Sequence, residues 1–170
     1  MHYICTRYKN VIITNMKKDQ SKRLQQQIDA INSLVLHQIK PSMQRIAIMD
    51  YLITHRTHPS ADEIYEKLSI GMPTLSKTTV YNTLKLFASN GAAQMITIDE
   101  HQVNFDADTS THAHFLCKQC GKIYDLSLPE LATMPDMQKI EGHLVKEISY
   151  FYKGICKDCL AKGTKDSNTN

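Results

Sequence analysis

The segment SKTTVYNTLKLFASNG (residues 76–91) predicts a helix with two different faces. Val80, Leu84 and Phe87 recur at i, i+4 and i+7, which is the spacing of a buried helical face. Polar and aromatic side chains, two of them lysines, occupy the other face: Lys77, Thr78, Tyr81, Asn82 and Lys85. Such side chains can reach base edges and phosphates from a helix in the major groove. This helix, which ends at Gly91, is therefore the candidate for DNA recognition.

Two shorter helices are predicted before this segment. The first, SMQRIAIMDYLITH (residues 42–55), has Ser42 as its N-cap. Its apolar stripe consists of Ile46, Met49, Leu52 and Ile53. The second begins at Ser60, which forms an S-x-x-E capping box with Glu63, and it ends before Gly71. Its apolar residues are Ile64, Tyr65 and Leu68.

Two short strands are predicted after Gly91, AAQMITI (residues 92–98) and QVNFD (residues 102–106), joined at residues 99–101. Three helices and then a hairpin are the element order of a winged helix. A small helical domain with a solvated polar face is the plainer alternative. Charge favours DNA binding, because residues 1–98 contain 12 Lys and Arg against 6 Asp and Glu, whereas the remainder contains 8 against 11.

Residues 1–40 are polar and predict one added helix, which Pro41 ends. Its apolar residues at helical spacing are Ile28, Ile31, Leu34 and Val35. The segment lacks the features of a signal peptide. No apolar run in the chain approaches the roughly 18 residues that cross a bilayer. We therefore expect a cytoplasmic protein.

The pattern changes to strands after residue 106. Strands are predicted in HAHFLC (residues 112–117), KIYDLSL (residues 122–128) and HLVKEISYFYKGIC (residues 143–156), with a helix near residues 129–141. The predicted fold class is thus α+β. Its predicted parts are an N-terminal extension, a winged-helix DNA-binding domain, a second domain and a polar, disordered tail, at residues 1–40, 41–108, 109–160 and 161–170.

Four of the five cysteines form two C-x2-C pairs that lie 35 residues apart: Cys117, Cys120, Cys156 and Cys159. Each pair can place two thiolates on one turn, and two such turns make the tetrahedral sulfur site that Zn²⁺ prefers. A site with four protein ligands has no open position, so the predicted zinc is structural. The alternative is four free or buried cysteines. Cys5 is left over as a free thiol.

A second set of ligand types surrounds the first cysteine pair. His112 and His114 are two positions apart in a predicted strand, so their side chains lie on the same face. Asp106 precedes them in the chain. Asp125 lies on the next predicted strand, and antiparallel pairing can bring it beside the two histidines. Two imidazoles and two carboxylates suit a divalent ion such as Fe²⁺, Mn²⁺ or Zn²⁺. Chemistry alone does not include His58 in this site, because a lone histidine before a helix is usually a solvated loop residue.

Four segments together resemble the ferric uptake regulator family of metal-dependent repressors: HPSADEIYEKL, SKTTVYNTLKLF, NFDADTSTHAHFLCKQCGKIYDL and GICKDC. The resemblance covers residues 42–160 and is greatest to the peroxide-sensing branch. It implies a regulatory Fe²⁺ or Mn²⁺ held by five residues, His58, Asp106, His112, His114 and Asp125. It also implies a homodimer through residues after about 110, with the two DNA-reading heads spaced for a palindromic operator.

The choice of branch depends on the two carboxylates of that set. The iron-sensing branch typically has Glu at both positions, whereas the peroxide branch has Asp, as in Asp106 and Asp125. In the peroxide branch iron-driven oxidation of a ligand histidine releases the metal and then the DNA, which here implicates His58 and His112. A further metal site of many iron sensors is predicted to be absent, because its positions look like Thr111, Ala113 and Ile148.

Other functions remain open on the sequence. Within the same class the alternative is an iron- or manganese-responsive repressor of uptake genes without peroxide chemistry. A zinc hydrolase or deaminase is disfavoured, because the deaminase pattern needs H-x-E before P-C-x-x-C and this chain has H-x-H. A zinc-stapled adaptor is disfavoured by the polar face of residues 76–91. We expect a regulator and not an enzyme.

Overall fold

A single long helix, α1 (His2–Leu36), begins the fold in the computed structural model, which describes residues 2–127 and 138–163. The predicted N-terminal helix is thus confirmed, but its predicted end at Pro41 is wrong. Gln38 takes a left-handed conformation with φ 59°, and the N–H of Ile39 donates to the carbonyl of Leu34 at 2.8 Å. This arrangement closes the helix at Leu36, before proline can act. None of the helices within the described ranges is long and apolar enough to cross a membrane.

Helix α1 packs on α2 (Met43–His55) through only part of its predicted stripe. Leu34 is buried together with Ala30, whereas Val35 and Ile28 are exposed. The buried face is therefore rotated relative to the predicted one, towards the small side chain of Ala30, which permits close approach of the two helices.

The three predicted helices of the DNA-binding half are confirmed as α2, α3 (Ala61–Ser69) and α4 (Lys77–Ser89). Side chains of Ser42, Ser60 and Ser76 cap their N-termini, and Ser60 and Glu63 form the complete capping box. The core beneath them includes Met49, Leu52, Ile64, Val80, Leu84 and Phe87. In α2, Ile48 is buried while Ile46 and Ile53 are only half-buried, so the stripe is shifted by part of a turn.

A hairpin of β1 (Gln94–Ile96) and β2 (Asn104–Asp106) follows α4, as predicted, with shorter strands. The pairing is antiparallel and places Met95 opposite Phe105, whose side chain is fully buried. We call residues 43–106, from α2 to β2, the head.

The remaining sheet has the order β4-β3-β7. Its strands are β3 (Ala113–Cys117), β4 (Ile123–Leu126) and β7 (Phe151–Gly154), with β3 antiparallel to β4 and parallel to β7. A separate hairpin pairs β5 (Gln138–Ile140) with β6 (His143–Val145). Helix α5 (Lys157–Ala161) ends the described chain. The fold class is α+β.

Three predictions for this half need correction. Residues 138–140 form a strand and not the end of a helix; the rest of that predicted helix, up to residue 137, lies outside the described residues. The predicted strand at residues 143–156 is two strands in different sheets, β6 and β7. The predicted tail at residues 161–170 begins inside α5, and residues 164–170 lie outside the described residues.

Candidate metal centres

The four paired cysteines come together where the ends of β3 and β7 meet. Cys117 is the last residue of β3, Cys120 follows in a turn, and Cys156 and Cys159 lie at the N-cap and inside α5. Parallel pairing of Cys117 with Gly154 brings the two turns side by side. We call these four residues the sulfur cluster. Helix α5, which the sequence did not predict, supplies the turn that carries the second pair.

The sulfur atoms have the separations of a tetrahedral site. The Sγ atoms of Cys117 and Cys159 are 3.9 Å apart, and those of Cys120 and Cys156 are 3.8 Å apart. All four lie within 4.8 Å of one another. Sulfurs that share one Zn²⁺ at 2.3 Å are about 3.8 Å apart, so the residues fit the predicted ion.

The pKa values of Cys117 and Cys159 in the sulfur cluster are shifted in opposite directions. Burial raises the pKa of Cys117, but hydrogen bonds from the backbone N–H groups of Cys120 and Cys156 outweigh burial and lower it to about 6. The N–H of Cys156 lies 3.3 Å from the Cys117 sulfur. The pKa of Cys159 is raised to about 12 by its hydrogen bond to Cys156 and by burial. A divalent cation bound here therefore displaces protons from the higher-pKa thiols.

The second cluster joins the head to the sheet. His58 lies just before α3, Asp106 ends β2, His112 precedes β3, His114 lies in β3, and Asp125 lies in β4. The register pairs His114 with Asp125, as antiparallel strands were expected to do. We call these five residues the regulatory cluster. The structure thus brings together every residue of the predicted set, including His58.

Distances within the regulatory cluster are those of atoms that can share one ion. Asp106 Oδ2 lies 3.6, 3.2 and 3.6 Å from the Nε2 atoms of His58, His112 and His114. Asp125 Oδ1 lies 2.6, 3.4 and 3.7 Å from the same atoms in the same order. Ligands at about 2.1 Å from a common ion are about 3.0–3.5 Å apart.

The orientation of these atoms also fits a cation. His58 Nε2 and Asp106 Oδ2 are buried and have no partner with hydrogen-bond geometry among the residues that the structure describes, although other polar atoms of the cluster lie close by. Buried polar atoms without such partners are costly unless a metal or another group satisfies them. The imidazole and carboxylate donor set suits Fe²⁺, Mn²⁺ or Zn²⁺.

The donor groups around Asp106 favour its ionised form. Burial raises the pKa of Asp106, but the nearby His114 and His58 and the N–H of Asp108 outweigh burial and keep it well below its usual range. Burial lowers the pKa of His58, whereas the neighbouring Asp106 and the charge of Asp125 raise it, and the net shift is upward. A cation at this position therefore meets at least one permanent negative charge and competes with a proton on His58.

Neighbouring backbone groups orient two side chains of the regulatory cluster, those of His112 and Asp106. His112 Nδ1 lies 2.8 Å from the carbonyl of Ser110, which places the proton on Nδ1 and leaves Nε2 facing the cluster. The N–H of Asp108 donates to Asp106 Oδ1 at 2.9 Å, which leaves Oδ2 for the cluster. In the described ranges these two clusters are the groups of three or more His, Cys, Asp and Glu whose ligand atoms converge. The absence of a further site at Thr111, Ala113 and Ile148 stays a prediction.

The polar face of α4 is open to solvent. All five predicted contact residues are exposed: Lys77, Thr78, Tyr81, Asn82 and Lys85. Lys85 Nζ lies 5.0 Å from the centre of the Tyr81 ring, and Lys77 Nζ lies 2.8 Å from Asp62 Oδ1. A groove of about 470 Å³ separates α4 from the hairpin loop and is lined in part by His101 and Gln102. The sequence did not predict that these two residues face the groove, because a hairpin loop has no periodicity that shows where its side chains point.

The sequence model described as the Ferric uptake regulator family matches residues 36–149. The chain belongs to the ferric uptake regulator family. It is 37% identical over 135 residues to the peroxide-responsive repressor PerR of Staphylococcus saprophyticus, covering 79% of this chain and 91% of that protein. It is 36% identical over 138 residues to the PerR of Staphylococcus aureus strain Mu50, with the same coverage.

A solved structure gives the same family. The ferric uptake regulator of Francisella tularensis with iron superposes with a TM-score of 0.58 at 25% identity, covering 72% of this chain and 95% of that one. Members of the ferric uptake regulator family are transcription regulators and not enzymes, so the hydrolase, deaminase and adaptor alternatives are excluded. Such regulators bind DNA and act as dimers.

Proposed function

We propose that this regulator is a cytoplasmic, metal-dependent transcriptional repressor whose regulatory cluster binds Fe²⁺ or Mn²⁺ and whose sulfur cluster holds a structural Zn²⁺. The carrying observation is that five candidate ligand atoms, from the head, from His112 just before β3 and from the sheet, converge within 4.8 Å. The domain boundary then lies near residue 108, between Asp106 and His112. Residues 41–108 form the DNA-binding domain, residues 109–160 form the dimerisation domain, and residues 1–40 are an extension.

The connection between the two domains explains how metal controls DNA binding. His58 and Asp106 belong to the head, whereas His114 and Asp125 pair in the sheet. An ion that contacts both groups favours the one arrangement in which they converge. In a homodimer formed through residues after about 110, that arrangement sets the spacing of the two α4 helices for a palindromic operator.

Peroxide is the proposed signal. The support is the 37% identity to a peroxide-responsive repressor and the presence of aspartate at both carboxylate positions. Fe²⁺ held by these five residues would supply the redox chemistry by which hydrogen peroxide oxidises a nearby imidazole: one peroxide oxygen is added to a ring carbon and the other leaves as water. Mn²⁺ would supply this chemistry poorly. His58 and His112 are the proposed targets. Oxidation weakens their ring nitrogens as ligands, so the head and the sheet lose their connection.

Mass spectrometry tests this function directly. Protein loaded with Fe²⁺ without air and then exposed to hydrogen peroxide is expected to gain 16 mass units, one oxygen, on the peptides of His58 or His112, and to release operator DNA. The Mn²⁺-loaded protein is the matched control and should show neither change. The operator is obtained by selection from a random DNA pool with Mn²⁺-loaded protein, and its release is read on a gel.

The same experiment distinguishes a peroxide sensor from the alternative, an iron- or manganese-responsive repressor without peroxide chemistry. If Fe²⁺-loaded protein keeps unmodified histidines while DNA binding still depends on metal, the iron- or manganese-responsive repressor replaces the peroxide sensor. The single substitution Asp125→Glu should keep metal-dependent DNA binding and reduce histidine oxidation, because the longer side chain changes the geometry around iron. Equal oxidation in both proteins would contradict the proposed role of the short carboxylate.

DNA contact through α4 is tested by Tyr81→Ala and Lys85→Ala. Both side chains are exposed on the proposed DNA-reading face, together with Lys77, Thr78 and Asn82. Loss of one phosphate contact at Lys85 should reduce the slope of log K against log salt by about one unit. Tyr81→Ala should weaken operator binding while metal content and oligomeric state stay unchanged. Lys67→Ala on α3 is the control, and equal affinities in all three variants would mean that α4 does not enter the groove.

A further inference from the structure

His58, in the loop between α2 and α3, has an unusual backbone conformation. Its φ is +52°, in the left-handed region that residues with a side chain rarely adopt. Such conformations persist only where the surroundings hold them, and they are often found at ligand sites. The side chain is only 3% exposed. A contact from outside the loop is therefore needed to hold the His58 backbone in this conformation while the imidazole faces the regulatory cluster.

The amide of Asn104 makes the contact that holds it. Asn104 Nδ2 donates to the carbonyl oxygen of His58 at 2.7 Å, between residues 46 positions apart in the chain. Asn104 itself is 4% exposed. Its Oδ1 has no hydrogen-bond partner within the described part of the chain. Exchanging the amide oxygen and nitrogen would place two acceptors against each other, so the NH2 group must face His58.

The surrounding backbone makes this contact specific to the loop. The N–H of Phe105 donates to the carbonyl of Pro59 at 3.0 Å, and Ser60 forms an isolated antiparallel bridge with Asn104. Residues 58–60 thus run alongside β2 in the way an additional strand of its sheet would. The Asn104 side chain extends this backbone pairing by one residue, to His58.

The same strand also supplies a ligand. Asn104 and Asp106 are two positions apart on β2, so both side chains lie on one face of the strand. Asp106 contributes its carboxylate to the regulatory cluster directly, and Asn104 contributes through the backbone of His58. An apolar residue at position 104 would leave the buried carbonyl of His58 without this donor, which is unfavourable.

We propose that Asn104 is a positioning residue for the regulatory metal: its amide fixes the left-handed backbone of His58 and thereby directs the imidazole into the cluster. The inference rests on the proposed function, since it requires that the cluster binds metal. It assigns a role to a residue with no ligand atom in the cluster.

The test is a double-mutant cycle on metal affinity. Mn²⁺ binding is measured by titration calorimetry of the zinc-loaded protein for the wild type, Asn104→Ala, His58→Ala and the double variant. Asn104→Ala is expected to weaken Mn²⁺ binding at least about tenfold, as loss of outer contacts to ligands typically does. In the His58→Ala background the same change should have little further effect, because the imidazole that it positions is gone.

A spectroscopic measurement separates positioning from general destabilisation. The visible absorption of Co²⁺ in the regulatory cluster of Asn104→Ala should shift towards that of His58→Ala. Leu84→Ala, which opens a cavity in the same head, is the matched control and should leave the Co²⁺ spectrum unchanged. Asn104→Thr, a strand-favouring residue too short to reach His58, replaces Asn104→Ala if the latter does not fold.

The outcomes distinguish the two proposals. Additive losses in the cycle, or a wild-type Co²⁺ spectrum in both Asn104 variants, would overturn the positioning role while the regulatory site stands. A wild-type protein that binds zinc but no Mn²⁺ or Co²⁺ outside the sulfur cluster would overturn the proposed function and this inference together.

Discussion

Cys117→Ser is expected to remove one zinc per chain and to disrupt the dimer. The sulfur of Cys117 accepts the N–H of Cys156 and lies 3.9 Å from the sulfur of Cys159, so its loss opens the site on both sides. Zinc binding contributes about 10–16 kcal/mol to the folding of zinc-finger peptides at pH 7, which exceeds the whole stability of many small domains. The sheet formed by β4, β3 and β7 should therefore unfold.

Zinc content by elemental analysis and mass by sedimentation equilibrium measure this result. Cys156→Ser should behave in the same way, because Cys156 lies at the start of α5 and belongs to the same sulfur cluster. Cys5→Ser is the matched control, since Cys5 lies outside both C-x2-C pairs, and it should keep full zinc and the dimer. A Cys117→Ser protein with a full complement of zinc and native mass would show that the four cysteines do not form the site.

Asp106→Ala is expected to abolish metal-dependent DNA binding while the structural zinc is kept. Asp106 is 6% exposed and its Oδ2 lies within 3.6 Å of all three histidines of the regulatory cluster. Its removal takes away the carboxylate whose low pKa keeps a negative charge there at any physiological pH. Loss of a group that only hydrogen-bonds to a metal ligand typically lowers metal affinity about 10- to 100-fold. Loss of Asp106, which is proposed to bind the ion itself, should therefore lower the affinity more than about 100-fold.

Mn²⁺ titration followed by a gel shift on the selected operator measures both effects. Asp99→Ala, which removes a carboxylate from the loop of the same hairpin, is the control and should bind Mn²⁺ and DNA like the wild type. If Asp106→Ala kept wild-type Mn²⁺ affinity, the ion would have to bind elsewhere. If it lost Mn²⁺ but still bound the operator normally, metal would not control DNA binding.

Local patterns in the sequence were sufficient to predict the helices of the head. Ser60 and Glu63 show a helix start by themselves, and the spacing of Val80, Leu84 and Phe87 shows which face of α4 is buried. Both signals act within one or two helical turns, so no distant contact can change them much. The paired cysteines are equally local, because the C-x2-C spacing already places two sulfurs on one turn.

Features that depend on distant contacts could not be read in this way. The position of His58 in the regulatory cluster depends on β2, which contacts its loop from 46 positions away, so only the family resemblance predicted that His58 belongs to the cluster. The division of residues 143–156 into β6 and β7 depends on which neighbour each strand finds, β5 or β3. The end of α1 depends on Gln38, a residue type that rarely takes the left-handed conformation and so gives no warning.

The regulatory cluster is unevenly covered, and this gives it a direction of access. The side chains of His58, Asp106 and His114 are 3–6% exposed, whereas that of Asp125 is 47% exposed. Solvent therefore contacts Asp125, on β4, far more than it contacts the three buried side chains. For an ion bound as proposed, we expect Asp125 to be the ligand that solvent replaces most readily, without movement of the head.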